Sequence, residues 1–219
     1  MRKIVLFISF FLAVSIIHLA NAQLGMTPMP RFYSDFRPVI GSWSEYQMTT
    51  KGEPPSKMKI AIVGKEGNAY WYETVMESKE EGRTVTKMLV SGNPDERKNI
   101  KRMIVKEEDE PAMEIPVAMM GGGAPTRGEE KGKVLNKGSE TIKVPAGTFK
   151  TQHLQIQGGE MTTDLWVHKD ISPYGVVKSQ SQMVQMVLLR YGTGAKSLIT
   201  ETPQKLEMPQ MPQMPPIRK

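Results

Sequence analysis

The side chains best suited to chemistry in this 219-residue chain are His153 and His168, the two histidines left once a leader is set aside. His153 and Asp164 lie on either side of Gly158-Gly159, so a tight β-hairpin would bring them together, and a carboxylate beside an imidazole is the pairing that orients a general base. Thr151 and Thr162 are close in sequence, yet no G-x-S-x-G, H-E-x-x-H, G-x-x-x-x-G-K-[ST] or G-x-G-x-x-G supplies a nucleophile, a zinc pair or a phosphate cradle. The chain holds no Cys, which excludes a thiol nucleophile, a thiolate metal site, an Fe–S cluster and a disulfide scaffold. Glu107-Glu108-Asp109-Glu110 lacks the alternating oxygen spacing of a calcium loop and reads as a solvated charged turn before Pro111. The expectation is therefore no enzyme and no resident cofactor.

Methionine is the unusual count, at 17. Met58, Met88, Met103, Met161 and Met186 sit at strand-like positions, where a thioether is packing. Met208, Met211 and Met214 recur every third residue among Pro and Gln, as Met26 and Met29 do near the other end. A polyproline II helix has three residues per turn and would set the tail thioethers on one side, where soft sulfur suits Cu(I). A disordered tail of biased composition is the alternative.

The elements that must position these residues are legible from the leader onward. Arg2 and Lys3, an apolar run from Ile4 to Ile17 and Ala20-Asn21-Ala22 read as a signal peptide over residues 1–22, so export to the periplasm or beyond is expected. Its removal lowers Lys+Arg from 29 to 27 against 23 Asp+Glu, and the formal charge falls from +6 to +4. The remaining basic residues are scattered among acids without interleaved aromatics, which argues against nucleic acid and leaves room for peripheral membrane contact. Residues 23–31 and 203–219 are Pro-punctuated and read as tails unable to join a sheet, leaving one domain over residues 32–202.

That domain reads as mainly β. Ten runs rich in Val, Ile, Thr, Tyr and Trp, from Ser42 to Thr50 through Val184 to Tyr191, are separated by Gly and Pro turns such as Val144-Pro145-Ala146-Gly147 and Ser172-Pro173-Tyr174-Gly175. Asn93 to Asn99 and Ala112 to Met120 are the two stretches that could form short helices, limited by Pro94 and Pro116. A two-residue loop at Gly158-Gly159 pairs residues whose numbers total 317, setting His153 opposite Asp164 and His168 opposite Phe149. Leu154, Ile156, Met161, Leu165 and Val167 then share a core face. Phe149, Thr151, His153, Asp164, Trp166 and His168 share the other, either a solvent face or the lining of a wet cavity.

Gly41-Ser42-Trp43-Ser44-Glu45-Tyr46, Val144-Pro145-Ala146-Gly147-Thr148-Phe149, Asp164-Leu165-Trp166-Val167-His168 and Gly175-Val176-Val177-Lys178 resemble segments of uncharacterised exported bacterial proteins. Those are similar to the superfamily of the outer-membrane lipoprotein carrier and receptor, the lipoprotein localisation factors, and the resemblance is strongest over about residues 140–180 and loose in the first half. It implies a curved antiparallel sheet forming an incomplete barrel, with one or two short helices as a lid over an apolar cavity. It carries over no transport activity, since no position here equates with a functional residue of those carriers.

Three functional expectations follow. The first is a binding or carrier module for an apolar or amphipathic ligand, a lipid or lipoprotein-like acyl chain, in a cavity lined by Met119, Met120, Val187, Leu189 and Tyr191. The second is a Cu(I)-binding envelope protein using Met208, Met211 and Met214. The third is an envelope structural or interaction protein with no small ligand.

Overall fold

Alternation of apolar and polar residues builds β1 (Trp43–Thr50), β2 (Ser56–Glu66), β3 (Ala69–Ser78) and β4 (Gly82–Val90), followed by β5 (Ile100–Glu107) and the short β6 (Met113–Ile115). The second half adds β7 (Lys133–Val144), β8 (Gly147–Gly158), β9 (Met161–Val167), β10 (Val176–Gln180), β11 (Val184–Gly192) and β12 (Gln204–Lys205). This computed structural model describes residues 34–80, 82–121, 133–158 and 161–206, so the leader, the first tail and Met208, Met211 and Met214 lie outside the described residues. One 12-stranded open sheet results, in the order β12-β6-β5-β4-β3-β2-β1-β11-β10-β9-β8-β7. Every pairing is antiparallel except β12 with β6.

All ten expected strands are present, and two further strands, β6 and β12, were not foreseen. Met113–Ile115 sits between Pro111 and Pro116 and is too short to show a period. The expectation that nothing beyond residue 202 joins the sheet is overturned by β12. The donors that β12 supplies to the pairing include the amides of Gln204 and Leu206, which bond the carbonyls of Ala112 (2.8 Å) and Glu114 (3.2 Å). Neither donor is a proline, so the Pro-rich composition did not forbid the strand.

One face of the sheet carries the main core. Leu188 and Met58 flank Tyr46, while Ile62 and Met88 flank Tyr72, all buried in cross-strand register. The cover over the tyrosines is irregular chain rather than helix: the Phe36 and Tyr174 rings lie 6.2 and 6.3 Å from Tyr72 and 5.5 Å from each other. Hydroxyls tie it down, with Tyr46 Oη donating to the Val176 carbonyl (3.0 Å) and Ser44 Oγ to that of Ser172 (2.7 Å). The short helices are single 3₁₀ turns, Arg97–Asn99 and Val117–Gly121, joined by Arg97 donating to the Val117 carbonyl (2.8 Å), and the second packs on β5.

The opposite face has its own cluster, Val75, Val85, Ile104, Ala112 and Ile199, with Trp71 against it. Ile199 comes from a strap that crosses β3 to β5 before ending in β12. The strap is held by Glu73, 2% exposed, whose carboxylate accepts from Ser197 Oγ (2.6 Å) and the Leu198 amide (3.0 Å). Lys106 pairs with Glu201 further along.

Candidate functional site

The hairpin of β8 and β9 fixes the site, and its register differs from expectation. Gly158 pairs with Met161, Leu154 with Leu165 and His153 with Trp166, so partners total 319 rather than 317. Gly158 stays in the ladder and the chain reverses one residue later than expected. A slip of two keeps the side chains on their expected sides, because the strand period is two, but Met161, expected in the core, is 60% exposed at the end of the hairpin. Asp164 moves from opposite His153 to its diagonal, and the contact survives, with His153 Nε2 2.8 Å from Asp164 Oδ1.

Pairing across five strands lines up Gly138, His153, Trp166, Lys178 and Val187 in one row, from β7 to β11. The His153 ring stacks on Trp166 at 4.6 Å between centroids and 14° between planes, and the Lys178 ammonium stands 4.8 Å over the Trp166 ring. Trp166 Nε1 donates to Glu140 Oε2 (2.7 Å), which lies 3.5 Å from His153 Nδ1. Gln155 Nε2 donates to Asp164 Oδ1 (3.3 Å). A carboxylate only accepts, so the short contact puts a hydrogen on His153 Nε2. Thr151 Oγ1, the one hydroxyl expected nearby that sits on this face of β8, is buried and donates to the Glu140 carbonyl (2.8 Å). Among the described residues no three His, Asp and Glu side chains are arranged to share a metal ion. The other histidine stands apart: His168 meets the Phe149 ring edge at 5.5 Å and accepts from the Asp170 amide (3.3 Å).

Two β-bulges shape the ends of the row. On β7 the register shifts between Asn136 and Gly138, and Gly138 adopts φ +99°, its amide donating to Asn136 Oδ1 (2.9 Å). Between β1 and β11, Glu45 pairs with Arg190 but Tyr46 with Leu188, which leaves Leu189 without a partner on β1. Val187 therefore faces with Gln47 and Tyr191 with Ser44, on opposite sides of the sheet. The β7–β8 turn docks near this bulge, the Ala146 amide bonding the Leu188 carbonyl (3.3 Å). Phe149 reaches Tyr191 at 5.9 Å between rings and is buried with Thr151, so the second hairpin face is no plain solvent face.

The structure does not gather the expected cavity residues. Val187 and Leu189 are half-buried on β11 beside the row, whereas the bulge turns Tyr191 away, 43% exposed. Met119 is 40% exposed on the 3₁₀ turn against β5, with β4, β3, β2 and β1 between it and β11 in the sheet. The side chain of Met120 lies outside the described residues. Two open clefts of about 260 and 430 Å³ lie in the other half of the molecule, one at Arg102, Glu114, Val117 and Lys205, the other at Arg83, Lys106 and Leu198. Met119, Val187, Leu189 and Tyr191 line neither. Trp166, Lys178, Glu140 and Gly138 were not foreseen as site residues. Trp166 could have been, because alternation alone sets it on the face of Asp164, whereas the rest depend on pairings between strands.

Comparison with solved structures gives distant likenesses. The chain is similar to the crystal structure of MucB, with a TM-score of 0.45 and 11% identity over 75% of this chain and 57% of that one. It is similar to the MucA/MucB complex of Pseudomonas aeruginosa, at 0.46 and 12% over 71% and 52%. An exported protein with a YmcC-like fold from Bacteroides fragilis gives 0.36 and 13% over 73% and 100%. The chain thus spans about half the length of the MucB structures it matches. No protein-family model matches the chain, and neither does any curated protein.

Proposed function

We propose that the protein is an exported, non-enzymatic binding or carrier module that holds an amphipathic ligand with an anionic head on the half-buried face of its sheet. The observation that carries this is Lys178. Its ammonium lies over Trp166 with no ion pair to a carboxylate among the described residues, and its cross-strand neighbour is Val187. An anionic head meets the ammonium while an apolar chain lies along Val187 and the bulged Leu189, both half-buried. Export rests on the leader at residues 1–22, and the non-enzymatic reading rests on the absence of a placed nucleophile beside His153.

The test is a titration of the chain from Gln23 onward with an environment-sensitive fatty-acid probe and with its neutral methyl ester. Saturable binding of the acid is expected. Lys178→Met should weaken it by about tenfold or more, the scale of one charge-assisted hydrogen bond, and leave the ester unaffected. Leu189→Trp should weaken both without lowering the thermal midpoint. Absence of saturable binding, or equal binding to wild type and Lys178→Met, would overturn the reading.

A further inference from the structure

We infer that the free edge of β7 receives an extended acidic peptide, one aromatic side chain of which lies over Gly138 against the His153 ring. The two outer strands of the sheet are β12, of two residues, and β7, of twelve. Among the described residues β7 pairs only with β8, and its residues are exposed apart from Leu135, Ile142 and Val144. Such an edge offers a row of backbone donors and acceptors, and adding a strand to it is a common mode of peptide recognition.

The row beneath this edge is unfinished. His153 covers one face of Trp166, and the next position outward is Gly138, which has no side chain to cover His153 in turn. A Cβ built on Gly138 would meet no atom within 4 Å, so the space over it is open. An aromatic residue on an added strand can lean across a glycine in this way and continue the stack.

Charge selects the partner. β7 carries Lys133, Lys137 and Lys143 against one acid, Glu140, and that carboxylate is already engaged by Trp166 Nε1. Lysines and a bulge on an edge oppose pairing with a second copy of the same edge, since like charges would meet. They favour a strand bearing Asp or Glu. The inference is independent of the amphipathic ligand, because it uses Gly138, His153 and the β7 backbone rather than Lys178 and Val187.

The experiment titrates the chain from Gln23 onward with three short Thr/Val peptides: one with a central Trp and Glu at both ends, one with the Trp changed to Gly, and one with Lys at both ends. The acidic Trp peptide should bind saturably and protect β7 amides from hydrogen exchange. Removing its Trp should weaken binding about three- to tenfold, the scale of one aromatic pair, and His153→Ala should abolish that difference between the two acidic peptides. Lys137→Glu with Lys143→Glu should reverse the preference between Glu and Lys ends, which keeps the inference testable if His153→Ala unfolds. Equal binding of all three peptides, or unprotected β7 amides at saturation, would overturn it. So would a dimer with protected β7 in the absence of peptide, which would assign the edge to a second copy.

Discussion

Leu165 and Lys150 belong to one hairpin, yet Leu165 is 2% exposed inside the core face and Lys150 is exposed. Leu165→Ala should cost about 2 to 5 kcal/mol, a transfer loss plus a cavity, whereas Lys150→Ala should stay within about 0.5 kcal/mol. Denaturant titration of the two variants checks this, and equal midpoints would mean the faces are reversed. Glu73 sets a second expectation. Its buried carboxylate is the acceptor for Ser197 Oγ and the Leu198 amide; Glu73→Ala strands the Leu198 amide, while Ser197 Oγ keeps the Ile199 carbonyl (3.0 Å), and should destabilise by about 1 to 3 kcal/mol, read as a lower midpoint in a denaturant titration. His153 with Asp164 was legible from sequence because both flank one Gly-Gly turn and a hairpin brings them together in either register. Lys178 was not, because its neighbour Trp166 comes through a second pairing whose register shifts beside Val177.

Among elements, the strap makes the sharpest correction. Truncation after Thr202 removes β12, and with it the bonds from the Gln204 and Leu206 amides to the Ala112 and Glu114 carbonyls; these two alone should lower stability by about 1 to 3 kcal/mol at 0.5 to 1.5 kcal/mol per net bond. An unchanged unfolding midpoint would show that β12 does not hold the edge. The strap should also respond to acid. The hydrogen bond from Lys106 holds the Glu201 carboxyl down at about 2, so the pair contributes fully above the ordinary carboxylate range and is lost as pH falls from there through about 2. The Ile199 methyl resonances should shift over that interval in wild type and not in Lys106→Met. The ten long strands were legible because each is a run of strand-forming residues bounded by turn residues, and the bounds of Lys133–Val144 match to the residue. The bulges at Leu189 and Gly138 were not, since each is set by the partner strand's hydrogen bonds. For that reason Tyr191 was assigned to the face of Val187.

At the scale of the whole molecule, the sheet does not close among the described residues, and the proposed ligand would lie on its face. The main core is sealed by the segment carrying Phe36 and Tyr174, and the far face is sealed in part by the strap around Ile199. The row from His153 to Val187 is half-buried. Binding there needs no lid to move, so association with an anionic amphiphile should be a single fast phase, and salt should slow it through screening of Lys178. The central claim is that the ligand head sits on Lys178 beside Trp166. The most direct measurement is the emission of Trp166 as the only indole, in a Trp43→Phe, Trp71→Phe background, during titration with a fatty-acid anion. A saturable shift of Trp166 emission that disappears with Lys178→Met is the result expected; emission unchanged at ligand saturation would contradict the account.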